Sequence, residues 1–224
     1  MKPLWQWVLF GLLSLVAVSA LAFKIFQPVQ VVPRVRLAPS FHLITQDGES
    51  LTSEDLRGTV VLYDFLYTRC PAPCYDLNAT MQEIQSRLDE VLPADVAIKF
   101  VTISFDPQHD TPEVLQAYAE SLGADTSQWI FATAENPDLL KTILGAGFEV
   151  YYQPQEDGSF QFDPHFVLVD GWGIIRGEYR YETLTPNTDR ILRHIGVLAD
   201  EIDNSKGAAE LAYEAAHLFL CYAP

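Results

Sequence analysis

Thr59-Val60-Val61-Leu62-Tyr63-Asp64-Phe65-Leu66-Tyr67-Thr68-Arg69-Cys70-Pro71-Ala72-Pro73-Cys74 is the stretch from which the fold can be read. Its first eight residues form an apolar, β-branched run, the pattern of a strand covered on both faces. A helical pattern from Asp76 to Leu92 follows. The two cysteines, Cys70 and Cys74, therefore fall where a strand ends and a helix begins. Backbone N–H groups and the positive end of the helix dipole at such a junction stabilise a thiolate. Two thiolates so close can hold a soft metal ion or be oxidised to a disulfide.

Downstream, Val96 to Phe105 reads as a second strand and completes a βαβ unit. Asp110-Thr111-Pro112-Glu113 opens a helix to about Leu122, with a polar cap, a proline in the first turn and an acidic start. Asn136-Pro137-Asp138 starts another, which Gly145 and Gly147 end. Tyr151-Tyr152 and Phe160-Gln161-Phe162 flank a turn at Asp157-Gly158. Strands at 166–169 and 174–181 are joined by Asp170-Gly171-Trp172-Gly173. A helix from Thr185-Pro186-Asn187 to about Asp203 and an amphipathic helix from Lys206 to Cys221 close the chain. Upstream, Phe41 to Leu51 reads as a hairpin around Gln46-Asp47-Gly48. This order predicts an α/β, thioredoxin-like domain, a central mixed sheet flanked by helices.

From Leu4 to Phe23 twenty residues carry no charge, enough at about 1.5 Å each for a hydrocarbon core of about 30 Å. Residues 1–26 are accordingly expected to be a transmembrane anchor. Val18-Ser19-Ala20 and Ala20-Leu21-Ala22 also permit cleavage as a secretory signal. The proline-punctuated segment 27–40 reads as a linker, 41–203 as the thioredoxin-like domain and 204–224 as a C-terminal helical extension. The flanking charges, Lys2 against Lys24, Arg34 and Arg36, run against the positive-inside tendency, but large domains translocate largely regardless of charge. A thiol pair suits an oxidising compartment. The domain is therefore expected on the extracytoplasmic side. A net charge of −16 argues against nucleic-acid binding, because phosphate backbones would be repelled.

The Cys70-x-x-x-Cys74 run, taken with Ile103-Ser104-Phe105-Asp106-Pro107-Gln108-His109-Asp110-Thr111-Pro112-Glu113, resembles the Sco/SenC family over roughly residues 38 to 203. That family consists of membrane-anchored, thioredoxin-like copper chaperones implicated in assembling the binuclear copper centre of cytochrome c oxidase. The resemblance implies copper bound by the thiolates of Cys70 and Cys74 and by one distant histidine, for which His165 is the candidate. It also implies an oxidase subunit as the copper-accepting partner. Thiolates favour Cu(I), and an added imidazole lets such a site take Cu(II) as well.

Some residues depart from the family pattern. Its histidine lies further ahead of the Asp-x-x-Gly turn than His165 does, and Pro164 is similar to the proline that thiol reductases place beside their cysteines. Tyr75 replaces a proline, and His109 an arginine. Every candidate has an alternative. Cys70 and Cys74 could form a permanent disulfide, or the redox pair of a thiol–disulfide oxidoreductase with Cys70 as nucleophile and Cys74 resolving. A thiol peroxidase fits the spacing less well. His165 could be satisfied by backbone or by Asp163. Asp106 and Asp110 are expected to support the cysteine loop and cap the next helix, with His109 beside them. His42 and His194 carry no spacing signal. His217 and Cys221, one helical turn apart, could chelate a metal, but their apolar neighbours favour packing.

Overall fold

The computed structural model describes residues 4–26, 29–71, 74–93, 96–181 and 187–219. A seven-residue strand, β4 (Val60–Leu66), buried along its whole length, forms the middle of the molecule. It runs parallel to β5 (Ile98–Ser104), which runs parallel to β6 (Trp129–Thr133), and antiparallel to β9 (His165–Val169). Four short strands precede or flank this core: β1 (Arg36–Leu37), β2 (His42–Thr45), β3 (Ser50–Thr52) and, beyond β9, the longer β10 (Ile174–Arg180). The resulting mixed sheet has the order β1-β10-β9-β4-β5-β6-β2-β3, and β7 (Tyr152–Pro154) pairs separately with β8 (Phe160–Phe162). The α/β mixed-sheet layout expected of the sequence is present.

Helix α2 (Cys74–Ser86) is shorter than the 76–92 pattern predicts, and Leu88–Glu90 continues as a 3-10 turn. Helix α3 (Pro112–Leu122) begins after Thr111, whose side chain makes no capping bond. Helix α4 (Pro137–Thr142) is capped by the Asn136 side chain and passes into a π-turn, Ile143–Phe148. That turn delivers Phe148 to Tyr63 and Phe65 at centroid distances of 5.0 and 5.2 Å. A Cβ on Gly147 would stand 2.5 Å from the Pro39 side chain, so the bare backbone is what lets the incoming chain lie against the turn. Helix α5 (Thr188–Asn204) buries Ile191, Ile195 and Leu198, and its cap is Asn187. The start foreseen at Thr185-Pro186 lies outside the described residues.

Two expectations about the N-terminal part change. Helix α1 covers Leu4–Phe26, but among the described residues no helix is long and apolar enough to cross a membrane. The anchor expected over 1–26 is not shown; what the described residues show there is an N-terminal helix that exposes Trp5, Trp7, Phe10 and other large apolar side chains. The segment following it does not hang free: Val31 and Val32 are buried, and β1 pairs with β10.

A buried cation fastens that segment. Arg176 on β10 donates to the Val32 carbonyl at 3.1 Å, to Asp170 at 2.9 Å and to Glu201 at 2.7 Å. His217 on α6 (Glu210–Phe219) reaches the other Glu201 oxygen at 2.9 Å, and Arg34 holds Glu214 at 2.8 Å. His217 therefore docks α6 on the domain; Cys221 lies outside the described residues. Removing the cation leaves the buried Asp170 and Glu201 carboxylates without their shared counter-charge, which costs about 3–5 kcal/mol. Arg176→Met should lower unfolding stability by about that amount in a urea titration. Trypsin should then cut at Arg34 and Arg36 sooner than in the unaltered chain.

Candidate functional site

Chain direction sets the site. β4 ends at Leu66 opposite Ser104 of β5, so the loop leaving β4 and the loop leaving β5 emerge together. β9 runs the other way and pairs Phe166 with Asp64, which puts its first residue, His165, at the same end. In this way the sheet gathers Cys70, Asp106, Asp110 and His165 at one edge of the fold.

The cysteine loop is pinned by carboxylates. Asp110 accepts the Thr68 backbone N–H at 2.9 Å and the Thr68 hydroxyl at 2.6 Å, and the Ser104 hydroxyl donates to it as well. Asp106 receives Arg69 at 2.6 Å, and His109 lies 3.0 Å from its other oxygen. Asp106 and Asp110 thus support the residues directly before Cys70, as expected. Asp110 does not cap α3, since its oxygens are turned back to the loop. His109 stands between Asp106 and Arg69, at 3.2 Å from the guanidinium.

Above the loop lies an aromatic roof. Tyr67, buried, accepts the Phe160 N–H on its hydroxyl and packs on Phe160 and Phe105 at 5.0 and 5.5 Å. Tyr152 stacks on Phe105 at 4.8 Å. The β7–β8 hairpin, whose aromatic residues and Asp157-Gly158 turn were legible in the sequence, is the element that supplies these rings. That its rings pack on Tyr67 and Phe105 was not legible.

Cys70 and Cys74 are joined as a disulfide, with Cα atoms 5.7 Å apart. Cys74, rather than Cys70, is the first residue of α2 and sits where the helix dipole favours an anion. Both are buried, Cys70 at 5% exposure and Cys74 at 0%. A pair open to solvent at the helix start is therefore not what the oxidised chain presents.

His165 is wholly buried, its ring 5.4 Å from that of Phe65. Nδ1 lies 3.0 Å from the Asp163 carbonyl, which can only accept, so Nδ1 carries the proton and Nε2 keeps its lone pair. Nε2 is buried without a hydrogen-bond partner. Burial is the main cause holding the imidazole pKa below its ordinary value, and the Arg180 charge acts in the same direction. A neutral imidazole with a free Nε2 is the form that ligates metals. Among the described residues, however, no group of three or more His, Cys, Asp or Glu side chains is placed to hold a metal ion. The structure brings Cys70 and Cys74 together, and leaves His165 on the neighbouring strand outside a common cluster.

His194 bonds the Tyr179 hydroxyl at 2.7 Å and, largely through burial, has its pKa lowered to about 4. His42 lies at the start of β2, beside Ser50 of the edge strand β3. Neither belongs to the site. Asp64, which carried no signal in the sequence beyond its place in an apolar strand, is fully buried below α2, and burial pushes its pKa up to about 7.

The SCO1/SenC family model matches residues 30–199. The crystal structure of a SCO1/SenC family lipoprotein from Bacillus anthracis is 28% identical, covers 73% of this chain and 95% of that one, and superposes with a TM-score of 0.66. BsSco, a member of the Sco family of cytochrome c oxidase assembly proteins in which a disulfide switch was identified, is 24% identical. It covers 76% of this chain and 97% of its own, with a TM-score of 0.65. Copper-bound ScoI of Arabidopsis thaliana is also 24% identical, covering 71% and 98%, with a TM-score of 0.61. The last two likenesses are of fold.

Asp110→Ala strips the Thr68 N–H and hydroxyl of their acceptor, a loss of about 1–3 kcal/mol for partly buried donors left unpaired. Urea titration should show that loss, and dithiothreitol should reduce the Cys70–Cys74 bond several-fold faster as the loop loosens.

Proposed function

The chain belongs to the SCO1/SenC family, and from that footing we propose that it is a copper-binding chaperone that passes the ion to a respiratory oxidase subunit. The observation that carries the reading is the bonded pair at the start of α2. Sulfurs close enough to form one bond are, once reduced, close enough to share one soft ion. Copper is the cargo. Reduction of the disulfide frees Cys70 and Cys74 as thiolate ligands, and oxidation of the pair expels the ion. His165 offers the third donor, since Nε2 is unprotonated and unpartnered. It would join the sulfurs once the Cys70–Cys74 bond is reduced. Transfer to the acceptor then proceeds by exchange of one ligand at a time.

The exposed apolar surface of α1 supports membrane association, with the domain on the extracytoplasmic side, where an oxidising environment accommodates the pair. The excess of acidic residues suits docking on a basic face of the acceptor.

A second reading, a thiol–disulfide oxidoreductase that keeps a partner's cysteines reduced, has its own support. The pair is oxidised and buried, and among the described residues no three-group cluster accompanies it. Cys70 would be the nucleophile and Cys74 the resolving thiol.

The two readings part when one equivalent of Cu(II) is added to the reduced chain. A chaperone gives a stoichiometric sulfur-to-copper charge-transfer band, abolished in Cys70→Ser and Cys74→Ser and weakened in His165→Ala. No retained copper, with rapid disulfide exchange on a reduced partner peptide, favours the oxidoreductase. An unchanged band in His165→Ala removes His165 from the ligand set.

A further inference from the structure

Trp172 stands in the turn between β9 and β10 on a backbone fixed from several sides. Its N–H donates to Asp170 Oδ1 at 2.9 Å, and Arg57 donates to its carbonyl. The Gly171 carbonyl beside it accepts the Gly58 N–H at 2.9 Å, and a Cβ on Gly171 would stand 3.0 Å from the Gly58 backbone. A turn locked in this way nevertheless presents its indole at 79% exposure. Among the described residues, the next most exposed large apolar side chains are Leu211, also at 79%, and Leu37, at 73%. All three exceed every large apolar side chain described on α1. They are neighbours through the fold. Leu37 pairs with Ile174, and the Ala38 N–H donates to the Gly173 carbonyl at 2.8 Å, so β1 runs alongside the Trp172 turn. Val35, exposed as well, donates its N–H to the Ile175 carbonyl at 2.9 Å. Leu211 lies one turn before Glu214 on α6, on the stripe that meets Arg34 at 2.8 Å.

We propose that this corner, formed by Val35, Leu37, Trp172 and Leu211, is the face on which the domain lies against a bilayer of electrically neutral lipid. It rests on the reading above that α1 associates with a membrane. Two observations choose lipid as the occupant. One is chain length. Val31 is buried only five residues after α1 ends at Phe26, and at about 3.3–3.6 Å per residue the chain between them reaches about 18 Å at most. Arg176 then fastens the Val32 carbonyl, so the segment carrying Val35 and Leu37 is held beside any surface that takes up α1. The other is charge. Arg34, Arg36, Arg57 and Lys206, the cations of these segments, are paired with Glu214, Glu178, Glu54 and Asp203. A neutral headgroup layer therefore suits the corner better than an anionic one, which the net charge of −16 would also repel.

An indole suits that place. Its ring is apolar while its N–H can bond to a headgroup or to water, and tryptophan gathers at membrane interfaces for that reason. Because the backbone of the turn is already fixed, docking orders only the two side-chain torsions and loses little entropy. The corner also sets how the cysteine site is presented. β10 runs from Ile174, next to the turn, to Arg180, opposite His165, a strand about 20 Å long. A domain seated on Trp172 holds the cysteine edge at the far end of that strand, away from the lipid.

The test uses the full chain with Trp5→Phe and Trp7→Phe, which leaves Trp172 and the buried Trp129 as its tryptophans. Adding Trp172→Phe to that chain gives the Trp129 signal to subtract. Each chain is floated with phosphatidylcholine vesicles on a density gradient, and acrylamide quenching of the floated fraction is compared with quenching in buffer. On vesicles the quenching of Trp172 should fall several-fold, and lipid brominated near the headgroup should quench it more than lipid brominated at the chain end. Leu37→Glu together with Leu211→Glu should restore acrylamide access while the chain still floats, because α1 is unaltered. A chain that floats with Trp172 as accessible as in buffer overturns the face and leaves membrane association standing. A chain that does not float overturns both. Shielding of Trp172 that appears in buffer and grows with protein concentration marks contact between copies instead, and overturns the lipid face as well.

Discussion

Strand β4 is hydrogen-bonded on both sides, parallel to β5 and antiparallel to β9, and the position of every group in the site follows from that double pairing. A parallel neighbour means that β4 and β5 end at the same edge, so the cysteine loop and the Asp106–Asp110 loop meet. An antiparallel neighbour means that β9 begins there, so His165 meets them too. The register is strictly held because the strand has no polar face to offer water: a slip of one residue would carry Asp64 into the Phe148 cluster and Phe65 under α2.

Given that frame, the chain uses its excess of carboxylates in two ways. Most are solvated, but four of the buried ones hold chain segments in place. Asp110 and Asp106 hold the residues before Cys70, and Asp170 and Glu201 share Arg176, which fixes the N-terminal segment. The cysteine loop is thus rigid at its start, through Thr68 and Arg69, and rigid at its end, where α2 takes over at Cys74. Disulfide chemistry between those ends is confined to a short span, and the leaving sulfur has its surroundings set in advance.

The sequence made legible whatever depended on local pattern. The apolar run before Cys70, the Asp110-Thr111-Pro112 helix start and the Asp157-Gly158 and Asp170–Gly173 turns all correspond to elements that are present. β6 escaped notice because Trp129-Ile130-Phe131-Ala132-Thr133 is too short to show a period and has no turn signal of its own. β1 escaped because prolines around it suggested a free linker, and its pairing with β10 is a long-range fact. The pairing of Cys70 with Cys74 was legible as proximity. Their burial was not, and neither was the packing of the β7–β8 rings on Tyr67 and Phe105, which depends on where a hairpin from elsewhere in the chain comes to rest. Asp64 was hidden for the opposite reason: one acid in an apolar strand looks like noise until its burial is seen.

The difference in rigidity between the two halves of the site decides which half must move if copper is to have three ligands. His165 is the first residue of a strand paired on both sides, opposite Arg180 and against Phe65, and its Nδ1 proton is fixed on the Asp163 carbonyl. Moving the imidazole outward would break sheet hydrogen bonds and expose core surface. The sulfurs are held chiefly by each other. Breaking that one bond releases Cys70 on a loop whose anchors, Asp106 and Asp110, act at the two preceding residues and not on the cysteine itself. On the copper reading, reduction therefore does more than supply thiolates. It frees Cys70 to move, and the preset imidazole becomes the fixed point on which it closes.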